Sequence, residues 1–475
     1  MKRILACLLS FVIVLGLCAC SNSGSGETTQ PASQGLQIGY ARESLIPSGN
    51  VNMSGYGNQE YRISTGYLDI IAATCLAASD GKTTVLLFST DTLNSKTNWT
   101  TEARSLISEV TGVPANNIQV GATHTHSSGA VGGSEELTLK WKTVYMDALV
   151  NAAKKAIADM APAKIYGSTI QTEGMTYVRH YEMLDGSFCG DNFGDPSKGY
   201  KGHATTANEL MMMIKFDREG DKKDIAVMNF QFHPCFTGGG QETVLSADGI
   251  GAIRDVFEKE TGMHFIYFTG SAGNQNANSR LPNENQNRKG ANQMKKYGEE
   301  LYQYAAKAME NLEEIGGTAV VSKQETLTYK SNDYGLDRLA DAQKATDLFR
   351  QTGNSSTASA LAQSMGFHSV YECNGIVANA GRPSSYDMEL NVVRIGDLGF
   401  VAAPYEMFSD SAFQIRDGSP YKFTLLSTVT NNSWGYFPTE KAYGYGCYES
   451  FTASFASGIA EATANKFVEM LKAIQ

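Results

Sequence analysis

Two histidines separated by one residue are the first feature of this sequence that could do chemistry. His124 and His126 lie in the segment GATHTHSSGAVGG, directly after a short apolar run. In an extended chain, residues i and i+2 project from the same face. The two imidazoles could therefore bind one metal ion, or one could bind metal while the other transfers protons. Two histidines that only hydrogen-bond a loop would give the same pattern.

Other apolar runs also end in polar side chains. QFHPCFTGGG places His233 at the end of one run, and AAPYEMFSD places Glu406 at the end of another. Ligands at the ends of separate strands are the usual way in which α/β sheets build a pocket. The turn-rich segment TNNSWGYFPTEKAYGYGCYES adds Tyr436 and Tyr448. Taken singly, Glu406 is equally explained as a solvated loop acid and Tyr436 as a packed aromatic.

The elements that would position these residues alternate between strand-like and helical patterns. Several runs are almost continuously apolar, which is typical of strands buried on both faces. Alternation of this kind predicts an α/β fold with mixed β-sheets covered by helices. The strand-like runs are 36–45, 68–78, 83–90, 117–123, 211–217, 224–233, 263–270 and 390–403. The helical patterns lie near 98–111, 135–160, 248–261, 287–314, 334–365 and 450–474.

The N-terminus has the pattern of a lipoprotein signal peptide. MKRILACLLSFVIVLGLCAC combines a basic start, an apolar run and a lipobox that ends at Cys20. Lipidation of Cys20 would anchor the protein to a membrane in the bacterial cell envelope, on the extracytoplasmic side. We expect residues 1–20 to be the signal peptide, residues 21–35 to be a flexible Ser/Gly-rich linker, and residues 36–475 to form a single large catalytic domain.

Charge and cysteine content exclude other classes of protein. The formal net charge is −10 at pH 7, and no stripe of lysine and arginine interrupts this acidity. Nucleic acid is therefore excluded as a partner. The cysteines beyond Cys20 are odd in number and lack the paired spacing of metal fingers, so we expect mostly buried free thiols.

The order of the motifs resembles the N-terminal catalytic domain of neutral/alkaline non-lysosomal ceramidases, which are zinc amidohydrolases that split the N-acyl bond of ceramide. The similarity extends from about residue 37 to residue 474. The motifs that carry it are IGYARESLIPSG, LLFSTDTL, ATHTHSSG, NFQFHPC, LSADGIG, FTGSAGNQN, AAPYEMF, GYFPTEKAYGYGCYE and ASGIAEATANKF.

The resemblance implies a zinc site and a catalytic pocket. It assigns the Zn2+ ligands to His124, His233, Glu406 and Tyr436, and the pocket residues to His126, Arg179 and Tyr448. Two imidazoles, one carboxylate and one phenol can hold zinc and leave a position for water. Arg179 and Tyr448 would then stabilise the charge that develops on a carbonyl oxygen.

One departure from the family concerns its nucleophile. The family's Gly-Asp-x-Ser-Pro-Asn segment supplies a serine, whereas this chain reads GNQNAN at 273–278, with Asn276 at the serine position. An amide cannot act as an activated oxygen nucleophile. We therefore expect attack by metal-activated water, with His126 moving protons and Asn276 donating a hydrogen bond to the oxyanion. Ser271 is the alternative nucleophile, although its position also suits a turn.

The sequence thus predicts a zinc-dependent hydrolase that cleaves an amide in a small molecule or a lipid, with N-acyl sphingolipids among the candidate substrates. The resemblance covers the catalytic domain, and we expect no C-terminal β-sandwich. Two alternatives stay open: a degenerate, non-catalytic lipoprotein that binds a ligand at the cell surface, and a zinc hydrolase of another bond.

Overall fold

Two β-sheets packed face to face form the centre of this protein, and helices cover their outer faces. The computed structural model describes residues 35–56, 62–191, 193–238, 242–277 and 289–475. The predicted signal peptide, Cys20 and linker residues 21–34 lie outside the described residues. From Gly35 to Gln475 the chain forms one compact unit.

The larger sheet has nine strands among the described residues. The pair of strands at each end of the sheet is parallel, and the strands between them are antiparallel. In spatial order the strands are His264–Thr269, Ile225–Phe230, Leu210–Arg218, Ala161–Gln171, Gln37–Ser44, Ala72–Ser79, Thr84–Thr90 and Ile118–Ala122, with Glu313–Ile315 beside Ala161–Gln171.

The smaller sheet has four described strands, which are Val320–Lys330, Ser385–Ile395, Leu398–Ala402 and Phe423–Ser427 in spatial order. Its last pair is parallel and the others are antiparallel. Short ladders complete the β structure: Asn52–Ser54, Arg62–Ile63, Gly66–Tyr67, Ser128–Gly129, Thr176–Val178, His180–Met183, Phe188–Gly190, Tyr200–His203, Val244–Leu245, Gln275–Ala277, Glu406–Met407 and Tyr436–Phe437. The predicted class, mixed sheets covered by helices, is confirmed.

Helices pack on both outer faces of the sheet pair. The outer face of the larger sheet packs against Thr97–Thr111, Glu136–Ala158, Asp248–Thr261 and Ala291–Met309. The outer face of the smaller sheet packs against Ser409–Gly418 and Ile459–Lys472. A separate helical group comprises Leu339–Thr352, Ser355–Ser364 and Val370–Asn379, and Glu440–Tyr443 and Tyr448–Thr452 are short helices. Within the described residues, no helix is long and apolar enough to cross a membrane.

The core between the sheets explains why the strands are so apolar. All eight residues of Ala72–Ser79 are buried, because one face packs on helices and the other on the second sheet. Phe268 of the larger sheet meets Phe400 of the smaller sheet edge to face, with ring centroids 5.1 Å apart. Full burial of a large apolar side chain stabilises a fold by about 1.5–3 kcal/mol, so these contacts hold the two sheets together.

Glycines divide three of the predicted elements. The run 390–403 is a hairpin whose strands meet at Gly396, where φ is 59°. The helical pattern 334–365 is divided at Gly353, a left-handed C-cap. The last long helix begins at Ile459, after Gly458, rather than near residue 450. In each case the expected continuous element was wrong because a local left-handed residue interrupts the apolar pattern.

Two strands were not predicted because they are not apolar runs. Val320–Lys330 alternates between partly buried and exposed residues over most of its length, and Ala161–Gln171 contains exposed positions. Alternation over so long a segment is the pattern of a strand with one solvent-facing side.

Candidate metal centre

His124 lies just beyond the strand Ile118–Ala122, in an unusual backbone conformation. Its φ is 68°, in the left-handed region, and its N–H donates to the carbonyl oxygen of Thr92 at 3.0 Å. A non-glycine residue there costs about 1–3 kcal/mol, and such residues cluster at functional sites. The expectation of an extended chain through both histidines is therefore wrong. The rings of His124 and His126 nevertheless lie edge to face, with centroids 5.1 Å apart.

His233 and Glu406 come from the ends of two different sheets. The N–H of His233 donates to the carbonyl oxygen of Gln275 at 2.9 Å, which fixes the chain after the strand Ile225–Phe230. Glu406 begins a two-residue strand that pairs in parallel with Tyr436–Phe437, so that Glu406 lies opposite Tyr436. The carboxylate reaches the histidines because of the tertiary fold of the chain, and no local sequence pattern predicts this.

Three side-chain atoms converge in a triangle. His124 Nε2 lies 3.3 Å from His233 Nε2 and 3.2 Å from Glu406 Oε2, and His233 Nε2 lies 3.3 Å from the same oxygen. Zinc–ligand bonds of about 2.0–2.1 Å in a tetrahedron separate the ligand atoms by about 3.3 Å. The three observed distances match one face of such a tetrahedron.

The surrounding hydrogen bonds direct lone pairs into the triangle. His124 Nδ1 lies 2.7 Å from the carbonyl oxygen of Leu93, and His233 Nδ1 lies 3.3 Å from that of Gln275. Protons on both Nδ1 atoms leave both Nε2 atoms free to bind metal. Glu406 Oε2 is buried, and apart from the two imidazole nitrogens of the triangle no hydrogen-bond donor reaches it among the described residues. A buried carboxylate oxygen without a donor is costly, and a cation at the centre of the triangle would satisfy it.

The protonation states also suit a cation. Burial, reinforced by the charge of Arg179, lowers the pKa of His233 to about 4. Burial raises the pKa of the Glu406 carboxyl, but the imidazoles of His124 and His233 outweigh this and hold that pKa well below its usual range. A neutral imidazole and an ionised carboxylate are the forms that bind metal. The residues therefore fit a metal ion, and Zn2+ suits a mixed nitrogen and oxygen set.

His126 stands beside the triangle rather than in it. A ring nitrogen of His126 lies within 4.8 Å of those of His124 and His233. Neither ring nitrogen of His126 has a hydrogen-bond partner among the described residues, and burial lowers the pKa of this imidazole well below its usual value. The ring packs at 5.4 Å from that of Tyr56. His126 is thus a neutral group with unused hydrogen-bonding capacity next to the candidate ligands.

A cavity of about 310 Å³ opens onto these residues. Its wall includes five of the predicted site residues, His124, His126, Glu406, Tyr436 and Tyr448. This volume is within the range of small-molecule sites.

The two tyrosines border the triangle. The ring of Tyr436 is nearly parallel to that of His233, with centroids 6.4 Å apart, and meets the ring of Tyr448 edge to face at 5.9 Å. Burial raises the pKa of Tyr448 to about 12, so this phenol is neutral at pH 7 and able to donate a hydrogen bond. The structure brings Tyr436 next to Glu406 and His233, although its hydroxyl is not one of the three atoms of the triangle.

Arg179 lies behind Tyr436. Its guanidinium carbon is 5.5 Å from the centroid of the Tyr436 ring. The guanidinium donates to Glu449 Oε1 at 2.7 Å, to the carbonyl oxygen of Gly273 at 3.0 Å and to Asn276 Oδ1 at 3.5 Å. The described cavity wall does not include Arg179. Its positive charge nevertheless acts on the site, because it contributes to the lowered pKa of His233.

Asn276 is engaged by its neighbours. Its Nδ2 donates to Asp191 at 2.6 Å, while its Oδ1 accepts from Arg179. Ser271 is fully buried, and its hydroxyl accepts a hydrogen bond from Asn208 at 3.1 Å. Neither residue contributes to the described cavity wall. These contacts leave the serine without a base at hydrogen-bond distance among the described residues.

Sequence reasoning missed several residues around this site, among them Gly273 and Glu449. Gly273 packs so closely against the Glu406 segment that a Cβ there would lie 2.7 Å from the Glu406 carbonyl oxygen. Glu449 directly follows Tyr448 and binds Arg179. Gly273, the second glycine of FTGSAGNQN, and the acid after Tyr448 were both visible in the sequence. No local sequence pattern shows what they contact.

Comparisons with known proteins give structural neighbours only. No protein family profile and no curated protein sequence matches this chain. Among solved structures, neutral ceramidase from Pseudomonas aeruginosa matches with a TM-score of 0.69 and 16% identity, covering 93% of this chain and 74% of that chain. A ceramidase complexed with C2 matches with a TM-score of 0.67 and 16% identity, covering 93% of this chain and 75% of that one. The chain therefore has the fold of these ceramidases, as the sequence resemblance predicted.

Proposed function

We propose that this protein is a zinc-dependent amide hydrolase. His124, His233 and Glu406 would hold the ion, with Tyr436 as the fourth ligand. The observation that carries the proposal is the triangle of His124 Nε2, His233 Nε2 and Glu406 Oε2. Its edges are 3.2–3.3 Å, and its buried carboxylate oxygen has no other donor among the described residues. It lies at the edge of a small-molecule-sized cavity, on a fold shared with ceramidases.

The residues around the ligands supply the rest of the chemistry. Zinc bound there would lower the pKa of a water molecule to about 7 and polarise a carbonyl group. His126 is neutral and unpartnered, so it can take a proton from the attacking water and pass it to the leaving amine. Tyr448 keeps its proton and can donate it in a hydrogen bond to the carbonyl oxygen as that oxygen gains negative charge.

We propose that water, and no side chain, is the nucleophile. Asn276 is held by Asp191 and Arg179, and the Ser271 hydroxyl is buried against Asn208. The hydrolysis would then form no covalent acyl-enzyme. Intact-protein mass spectrometry of a rapidly quenched reaction tests this, and an acyl adduct on Ser271 would contradict it.

We propose N-acyl amines as the substrate class, in a small molecule or a lipid. N-acyl sphingolipids are the first substrates to test, because the structural neighbours are ceramidases. Cleavage of ester substrates with no cleavage of amides would instead favour a zinc hydrolase of another bond.

The sequence pattern at the N-terminus supports a further part of the proposal. Cys20 would be lipidated and would tether the protein to the bacterial cell envelope on its extracytoplasmic side. Metabolic labelling with a fatty acid should mark the parent chain and not Cys20→Ala. Release of the unmodified parent into the soluble fraction would contradict this assignment.

The decisive experiment separates metal binding from turnover. The parent chain should bind about one zinc ion, as expected for a single site with these ligands. His233→Ala should lose both zinc and activity. His126→Ala should keep the zinc and lose activity by about 10²–10⁴-fold, as expected for a group that transfers protons. A well-folded parent without stoichiometric metal would contradict the proposal.

A non-catalytic binding protein is the second candidate. It is favoured by the replacement of the family's serine by Asn276. A zinc-loaded parent that binds N-acyl amines but releases no product would support this alternative over the hydrolase.

A further inference from the structure

A buried group of charged residues lies behind the cavity wall. Glu449 and His180 are each 1% exposed, and Arg179 is 5% exposed. One carboxylate oxygen of Glu449 accepts from Arg179 Nε at 2.7 Å and from Arg179 Nη2 at 2.6 Å. The other oxygen lies 2.8 Å from His180 Nε2. The two oxygens of the Glu449 carboxylate therefore contact two consecutive residues of another segment, Arg179 and His180.

This carboxylate links two chain segments that face the proposed zinc site. Glu449 directly follows Tyr448, which lines the cavity. Arg179 lies between the short strands Thr176–Val178 and His180–Met183, and its guanidinium lies over the ring of Tyr436. The Arg179 side chain has other acceptors, the carbonyl of Gly273 and the amide oxygen of Asn276, but both are uncharged. Among the described contacts, Glu449 is the anion that balances Arg179.

A second metal site is the competing interpretation of the group. Ligand atoms of His180, Cys447 and Glu449 lie within 4.8 Å of one another. However, both oxygens of Glu449 are already hydrogen-bonded, and the guanidinium of Arg179 would repel a cation there. Burial also raises the pKa of the Cys447 thiol to about 12, so a thiolate ligand is disfavoured. These contacts indicate that Glu449 fixes the position of Arg179 and does not bind a metal ion.

We infer that Glu449 is a positioning residue for the catalytic site: with His180, it holds the Arg179 guanidinium against Tyr436. A positive charge that is already fixed behind Tyr436 stabilises the negative charge that develops on the substrate, because the protein need not rearrange during the reaction. Without the carboxylate, the guanidinium keeps only neutral acceptors and loses its fixed orientation. This inference rests on the proposed hydrolase function for its kinetic effects, but the position of Arg179 can be measured without turnover.

The test compares Glu449→Gln with a matched control in the full chain. Glu449→Gln keeps the shape of the side chain and removes its charge. The control is Asp91→Asn, which removes the charge from another buried pair, Arg254 Nη1 to Asp91 Oδ2 at 2.7 Å, outside the site. We expect Glu449→Gln to lower kcat by about 10–100-fold, as for a misplaced site group, with KM nearly unchanged and zinc content unaltered. Asp91→Asn should leave kcat per folded molecule unchanged.

A double-mutant cycle shows whether Glu449 acts through Arg179. In an Arg179→Lys background, Glu449→Gln should change kcat by less than about threefold, because the effects of coupled residues do not add. Full additivity would overturn the inference. If Glu449→Gln fails to fold, Glu449→Asp, which retains the charge on a shorter side chain, takes its place in the cycle.

A second readout is independent of catalysis. Phenylglyoxal modification of Arg179, followed by peptide mass spectrometry, should be faster in Glu449→Gln than in the parent or in Asp91→Asn. Equal protection in Glu449→Gln and the parent would overturn the inference. If the zinc-loaded parent hydrolyses no N-acyl amine, the proposed function fails, while this reactivity still decides whether Glu449 holds Arg179.

Discussion

Zinc should raise the thermal stability of this protein, and His233→Ala should abolish that effect. Two imidazole nitrogens and a buried carboxylate oxygen face one another at 3.2–3.3 Å in the folded chain. The unfolded chain does not hold these three atoms together. Zinc bound at the proposed site would therefore favour the folded state and stabilise it by linkage.

The size of the shift follows from linkage and chain length. Free zinc at 100 times its Kd adds about 2.7 kcal/mol to the free energy of unfolding. The unit from Gly35 to Gln475 has an unfolding entropy of roughly 0.9 kcal/mol/K, at about 2.1 cal/mol/K per residue. The midpoint of thermal unfolding, Tm, should therefore rise by about 3 °C, and by about 4–5 °C at 1,000 times Kd.

Circular dichroism melts of chelator-treated protein, repeated across a zinc titration, provide the measurement. His264→Ala is the matched control, because His264 stacks on Tyr40 with ring centroids 4.2 Å apart and is not part of the triangle. The parent and His264→Ala should show the same zinc-dependent rise in Tm, and His233→Ala should show almost none. A rise of equal size in His233→Ala, or no rise in a parent saturated with zinc, would refute the reasoning.

Three further outcomes are expected. Gly273→Ala should weaken zinc binding by about 10–100-fold in a competition titration, because its Cβ would lie 2.7 Å from the carbonyl oxygen of Glu406. Unchanged affinity would contradict this, because it would show that the Glu406 segment moves away from the added methyl group without disturbing the ligand. Phe268→Ala should lower the free energy of unfolding by about 3–5 kcal/mol in urea, since it leaves a cavity against Phe400 between the sheets; a loss below about 1 kcal/mol would contradict this packing. Burial raises the pKa of Asp69 to about 6. The folded state thus favours the protonated form, so this contribution to stability is full below about pH 4 and is lost as the pH rises through 6. In urea denaturation of metal-free protein, the parent should therefore lose about 2 kcal/mol between pH 4.5 and 7 relative to Asp69→Asn, and parallel pH profiles would rule this out.

Strand prediction succeeded for segments in which every residue is buried. Ala72–Ser79 and Ile225–Phe230 are buried throughout and mostly apolar, because each is covered on both faces, and both were predicted from sequence. Prediction failed at Gly396 and Gly353, where a single left-handed residue ends the element although the apolar pattern continues past it. It also failed for Val320–Lys330, whose outer positions remain exposed.

For the site, the sequence established which chemical groups are present and which strand ends carry them. His124, His126, His233 and Glu406 follow apolar runs and Tyr436 lies in a turn-rich segment, and the tertiary structure brings all five together. The sequence could not determine how they face one another. The left-handed backbone at His124 replaced the expected extended chain, yet the two imidazoles still converge.

Only the tertiary structure decided the partners of these groups. His124 and His233 are 109 residues apart, and Arg179 and Glu449 are 270 residues apart. The sequence resemblance predicts that Asn276 stands where ceramidases have a serine, but its hydrogen bond to Asp191 is visible only in the folded chain. A short stretch of sequence shows how apolar its residues are and which backbone conformations they prefer, and both are properties of residues close together in the chain. Lone-pair direction, charge balance and close approach depend on residues that meet only after the two sheets have packed, and these decide which side chains can bind metal and which hold the others in place.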